Sequence, residues 1–272
     1  MDWKKLQNID RRIIYILLIL ATVIPMINPI GIPVSVGASA QKFYNFMDAI
    51  PAGDKVLFSM DFAASGAPDI LPEAKAVMQH LMDKGVKVVA IAFWDNGPMF
   101  ADQLMKTYED QGFEYGVDFA NLGYIPGGET AIKRFGEDVV GSVSKDFRNN
   151  SISSLPIMEG IKDTRDFAGV ICFAAGNPGT EEWIRQVQGT LGINFFVACA
   201  TVSVPQAMPF VNSGQVTALL GGMRGAAEYE TAMGKPGGAV AKMDAQSLGH
   251  LLIIAFIAIG NIAFFMDKKQ AR

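Results

Sequence analysis

Histidine and cysteine are nearly absent, with two of each in 272 residues. His80 falls in an amphipathic helical stretch, expected at a helix surface, and His250 lies in an uncharged window near the C-terminus. Neither can reach a serine or cysteine nucleophile at a strand-end crevice, so Ser-His-Asp and Cys-His catalysis are excluded and the inventory argues against an enzyme. Cys172 and Cys199 both sit in apolar runs that read as adjacent core strands, where a buried thiol is favoured over a disulfide. Positive charge is not in excess: 23 Lys and Arg against 27 Asp and Glu give −4, which removes nucleic acid as a partner. Charged residues reach only 18%, below the usual quarter of a globular domain, and the deficit is concentrated in two windows.

Residues 13–34 carry no charge, and neither do residues 248–266, which contain His250 and Asn261. At about 1.5 Å per helical residue, each window is long enough to approach or cross a hydrocarbon core of about 30 Å. A cleaved signal peptide is the alternative for the first, with Ala38-Ser39-Ala40 as the cleavage site, but its apolar run exceeds a signal core. Pro25, Asn28, Pro29, Gly31 and Pro33 predict a kink or an early helix exit in its second half. Lys4, Lys5, Arg11 and Arg12 precede the first window, and Lys268, Lys269 and Arg272 follow the second. The positive-inside rule then places both termini in the cytoplasm and the middle of the chain outside it, at a cell (inner) membrane. The expected organisation is 1–35 (N-terminus and first span), 36–245 (extracytoplasmic domain) and 246–272 (second span and C-terminus).

Between the windows, short β-branched or aromatic runs alternate with longer amphipathic stretches. That pattern predicts an α/β fold with a Rossmann-like or flavodoxin-like, doubly wound, mostly parallel sheet, flanked by one transmembrane helix at each terminus. Strands are read at 55–60, 86–93, 169–173 and 194–200, with a weak one near 115–122. Helices are read at 72–84, 99–111, 129–143 and 180–191, with a last one at 213–233. The first of these shows the period: Ala74, Val77, Met78 and Leu81 form one stripe, and Gly85 stops it.

Ligands of such sheets bind in the loops after the strands, here 61–68, 94–98, 123–128, 174–179 and 201–209. Asp61, Ser65, Trp94, Asp95, Asn177 and Thr201 are the candidate ligand-binding residues, although turn residues there serve any α/β loop equally well. Gly176-Asn177-Pro178-Gly179-Thr180 resembles a phosphate loop but lacks its lysine and is followed by Glu181 and Glu182. Asp69, Glu73 and Glu129 likewise put acid at or near helix starts, where it competes with an incoming anion, so no nucleotide is expected. Asp61-Phe62-Ala63-Ala64-Ser65 faintly resembles the metal-adhesion motif of von Willebrand A domains, but Ala63 stands where that motif has its first serine. No metal and no cofactor are therefore expected.

The segment from Ser213 to Glu230 is the most distinctive. Ser213 is read as a helix cap, with Gly221, Gly222 and Gly225 inside the helix and Ala218, Gly222 and Ala226 on one flat face. Gly221, Gly222, Arg224, Gly225, Glu228 and Tyr229 are the candidate interaction residues, the alternative being packing on the chain's own sheet. Here, and across Gly116-Val117-Asp118-Phe119-Ala120-Asn121-Leu122-Gly123-Tyr124, the sequence resembles a group of two-span, membrane-anchored prokaryotic proteins with an α/β domain. The resemblance covers most of the soluble domain and implies no activity, substrate or catalytic residue. The expectation is a non-enzymatic structural or assembly subunit of an envelope complex whose partners are the bilayer, other envelope proteins or further copies of itself. The alternative is an extracytoplasmic ligand-binding or sensory domain, and a carboxylate hydrolase using Asp61 and Asp95 ranks third.

Overall fold

The computed structural model describes residues 10–270, with side chains through residue 268. Lys4, Lys5 and Arg272, together with the side chain of Lys269, lie outside the described set. In chain order the main elements are α1 (Arg11–Ile27), α2 (Ala38–Ala49), β1 (Lys55–Asp61), α3 (Ala67–Asp83), β2 (Lys87–Ala92), α4 (Gly97–Glu109) and β3 (Phe119–Tyr124). They continue as α5 (Gly128–Glu137), β4 (Gly169–Ala174), α6 (Thr180–Trp183), β5 (Phe195–Cys199), α7 (Val204–Asn212), β6 (Ala218–Gly221), α8 (Gly222–Ala232) and α9 (Gly238–Gln270). Two compact units result: Ser35–Lys235, and Met1–Val34 together with Pro236–Arg272.

The larger unit is built on one six-stranded sheet in the order β3-β2-β1-β4-β5-β6, every neighbouring pair parallel. This order is consistent with a Rossmann-like fold and differs from the flavodoxin order. The strands are nearly continuous apolar runs because both faces are covered. Val56, Phe58, Met60, Ile171 and Phe173 point into one core, shared with α2, α3, α4 and α8. Leu57, Val89, Ile91, Cys172 and Val197 alternate into the other, beneath α5 and α6. Ala74, Val77, Met78 and Leu81 of α3 are all buried, as their spacing predicts.

Both sheet edges are sealed by the chain itself. On β6, Ser39 of α2 accepts from Leu219 N (2.7 Å) and donates to Leu219 O (2.8 Å). On β3, Gly116 N donates to Phe119 O and Phe147 N to Asn121 O. Unpaired strand edges invite pairing with another chain, and these contacts remove the invitation.

Three expectations are corrected. The predicted helix at 213–233 is instead the end of α7, then β6, then α8. Residues 218–221 pair with β5, Gly222 turns the chain at φ 59°, and Ser213 donates to Phe210 O at the close of α7. Ala218 therefore lies on a strand, so the flat Ala218/Gly222/Ala226 face does not exist, and only Gly225 is a helix-interior glycine. His80 is not at a helix surface: it is 5% exposed, stacked on Tyr44, with Nδ1 2.7 Å from Tyr229 Oη. The third correction concerns the termini. α1 has 17 residues, about 25 Å, because Asn28, preceding Pro29, takes the extended conformation (φ −138°, ψ 100°).

Among the described residues one helix, α9, is long and apolar enough to cross a membrane, not one per terminus. Leu251, Ile254 and Phe265 on it are 62–67% exposed. Within this smaller unit α1 packs along α9, with Leu18 and Thr22 against Gly249. The Asp244 carboxylate of α9 accepts from Gly31 N (2.8 Å) and Ile32 N (3.0 Å), tying the chain beyond α1 to the helix.

Candidate functional site

In a parallel α/β sheet the crevice opens outside the strands' carboxyl ends, at the point where strand order reverses. Here that point lies between β1 and β4, and the protein's own groups fill it. Asp61, the last residue of β1, is fully buried. Its Oδ1 accepts from Phe93 N (2.7 Å), and its Oδ2 from Ser59 Oγ (2.5 Å), Trp183 Nε1 (3.2 Å) and Cys172 Sγ (3.7 Å). Burial pushes its carboxyl up to about 6, against the opposing pull of these hydrogen bonds. With its oxygens occupied by protein donors, Asp61 cannot serve the metal-adhesion reading, and Ser65 stands exposed in the following turn.

Trp94 covers the same opening. Its Nε1 donates to Pro178 O (2.7 Å), and its ring lies so close to Gly176 that a Cβ there would come within 2.9 Å. Any larger residue at 176 would displace the indole. The adjoining turn, the one resembling a phosphate loop, holds its own anion: Glu182 accepts from Gly179 N (2.8 Å). Arg185 is in turn held by Glu129 (3.0 Å), Glu182 (2.9 Å) and Glu181 (3.3 Å).

Asp69 opens α3 but does not cap it. Its oxygens accept from Thr201 N (2.8 Å) and Met223 N (3.3 Å), so it caps α8, the helix after β6. Glu73, one turn further along α3, is fully buried, and neither of its oxygens has a hydrogen-bond partner. Among the described residues no group of three or more His, Cys, Asp or Glu is placed to hold a metal ion.

An open pocket of about 60 Å³ lies one strand over, between the loops after β4 and β5. Asn177, Thr180, Glu181, Ser203 and Gln206 give it polar walls, and Cys199 lies against it. Burial holds the Cys199 thiol well above the usual range, so it is a packing group there rather than a nucleophile. Of the six candidate ligand-binding residues, Asn177 lines this pocket, Asp61 and Trp94 close the central crevice, and Ser65, Asp95 and Thr201 sit exposed. Ser203 and Gln206 escaped the sequence reading because α7, with Pro205 and Pro209, does not announce itself as a helix.

The candidate interaction residues are also placed. Tyr229 is in the core; Glu228 is 9% exposed, bound to Arg224 (2.8 Å) and Gly37 N (3.0 Å); Gly225 rests on Leu220. Arg224 alone presents a largely exposed side chain. No family model, no curated protein and no solved structure matches the chain. The site therefore has to be read from its own chemistry.

Proposed function

We propose that the protein is a membrane-anchored, non-enzymatic subunit of an envelope protein complex. The observation that carries this reading is the long apolar helix α9, whose large side chains face outward where a water-soluble protein would cover them. In this reading α1, which at about 25 Å is too short to qualify as a span by length alone, packs along α9 through Leu18 and Thr22 and enters the bilayer with it, so that the doubly wound domain is flanked by one membrane segment at each terminus. The domain lies outside the cytoplasm and both termini inside, in keeping with Arg11, Arg12 and Lys268 at the outer ends of the two helices. The filled central crevice supports a scaffolding role over a catalytic one: the positions where a Rossmann-like sheet receives a substrate are held by Asp61, Trp94 and Glu182.

Extraction from native membranes in mild detergent is expected to yield a particle well above the 29.3 kDa of one chain, with other envelope proteins or further copies bound. Light scattering that returns a clean monomer, with nothing co-purifying, overturns the proposal.

The pocket between the β4 and β5 loops favours a second reading, a small-ligand sensor. A thermal-shift screen of sugars and amino acids is then expected to find a stabiliser whose effect disappears in Gln206→Ala. Silence across the screen removes this reading.

A further inference from the structure

The pocket between the β4 and β5 loops differs from the filled crevice beside it in how its polar groups are used. Asp61, Trp94 and Glu182 in the crevice spend their hydrogen bonds on the protein. Asn177, Thr180, Ser203 and Gln206 line the pocket, and among the described residues none of these four side chains has a hydrogen-bond partner. Resting on the small-ligand reading above, we propose that this pocket binds a neutral sugar by one edge, through two adjacent hydroxyl groups.

Charge narrows the choice first. No lysine, arginine or histidine lines the pocket, and its one charged group, Glu181, already has Arg185 at 3.3 Å. A phosphate or carboxylate entering here gives up water with no cation to receive it, and a cation meets a carboxylate that is already shared. A neutral ligand is left. The four free polar groups are two carboxamides and two hydroxyls, so each of them can both donate and accept. A ketone, ether or ester only accepts, and leaves the pocket's own acceptors unanswered. A hydroxyl does both from one atom and rotates to suit its neighbours.

Size and floor narrow it further. A cavity of about 150 Å³ is enough to enclose a six-membered ring such as benzene. At about 60 Å³ this pocket takes only part of one, and because its mouth is open the remainder of the ring stands in solvent. Buried Ala174, Cys199 and Ala207, with the partly buried Phe210, supply apolar surface for the C–H groups that carry the two hydroxyls. An edge of this kind is offered equally by a free sugar and by the terminal sugar of a glycan.

The test uses the full-length protein in a detergent whose headgroup carries no sugar. Glucose, galactose, mannose and N-acetylglucosamine are titrated to about 10 mM, below the range where sugars stabilise proteins generally by exclusion from their surface. Saturation-transfer NMR is expected to show at least one of them bound, with the signal concentrated on one edge of the ring. Gln206→Ala and Ser203→Ala, which break no bond within the protein, are each expected to weaken that binding about three- to tenfold, the effect of one lost hydrogen bond. Ser65→Ala, exposed in the turn after β1, leaves it unchanged. Whether the free sugar or a trisaccharide ending in it binds more tightly separates a soluble sugar from a glycan end. Glutamate, putrescine and acetamide are run beside the sugars. If one of these binds in a Gln206-dependent way and no sugar does, the sugar assignment is overturned while the ligand pocket stands; if no probe binds, both fall. An undiminished sugar signal in both variants also overturns the assignment.

Discussion

Trp183→Ala is expected to destabilise the α/β unit by about 3–5 kcal/mol, a large share of the roughly 5–15 kcal/mol that keeps an ordinary domain folded. The indole is fully buried. It stacks on Phe195 (6.2 Å between centroids) and meets Phe93 and Phe135 edge-on, so its removal empties the centre of the core beneath α5 and α6. It also takes away the Nε1–H that reaches Ser59 (3.1 Å) and Asp61 (3.2 Å), exposing a buried carboxylate to partial starvation of donors. Trp183→Phe separates the two effects, since it keeps most of the ring and loses only the donor, at about 1–3 kcal/mol. Urea titration in detergent checks both. A loss under about 1 kcal/mol for the alanine variant sinks the assignment of Trp183 as the keystone of that core.

The second large effect is in pH. Asp61 titrates near 6 in the folded protein and near the ordinary aspartate value when unfolded, so between those limits the folded state holds the extra proton. Stability then falls as pH rises from about 4 to about 6, by about 3 kcal/mol, and is flat with respect to this group above that. Glu73, also raised by burial, adds a loss of the same sign as pH rises. Asp48, Asp102, Asp163 and Glu129 have depressed values and act oppositely, their stabilisation disappearing as pH falls below about 4. The difference between wild type and Asp61→Asn isolates the Asp61 contribution. It is expected to slope downward across pH 4–6, and a flat difference refutes the raised value.

Much of the sheet could be read in advance because parallel strands covered on both faces must be apolar at nearly every position, Ser59 being the exception in these runs. Val56–Met60, Val88–Ala92, Val170–Ala174 and Phe195–Cys199 satisfy that demand and were found within a residue or two. The α3 stripe was equally plain. β6 was not, because four residues ending in Gly221 and followed by Gly222 look like the interior of a helix, and only pairing with Phe196–Cys199 makes them a strand. The crevice was legible as a location but not as an object. What fills it comes from far along the chain: Trp183 lies 122 residues beyond Asp61, and Pro178 lies 84 beyond Trp94. His80 was misplaced for the same reason, since its burial depends on Tyr229 and on α2, neither of which its own helix predicts.

The sealing of β3 and β6 has a consequence for how neighbours can attach. With Ser39 holding both backbone groups of Leu219 on one margin, and Gly116 and Phe147 occupying the other, no foreign peptide can extend the sheet sideways. Whatever joins this domain has to recognise side chains on its helices and loops. Such recognition can be tuned one residue at a time and released, whereas ribbon-to-ribbon growth would propagate without limit in a crowded layer of identical molecules.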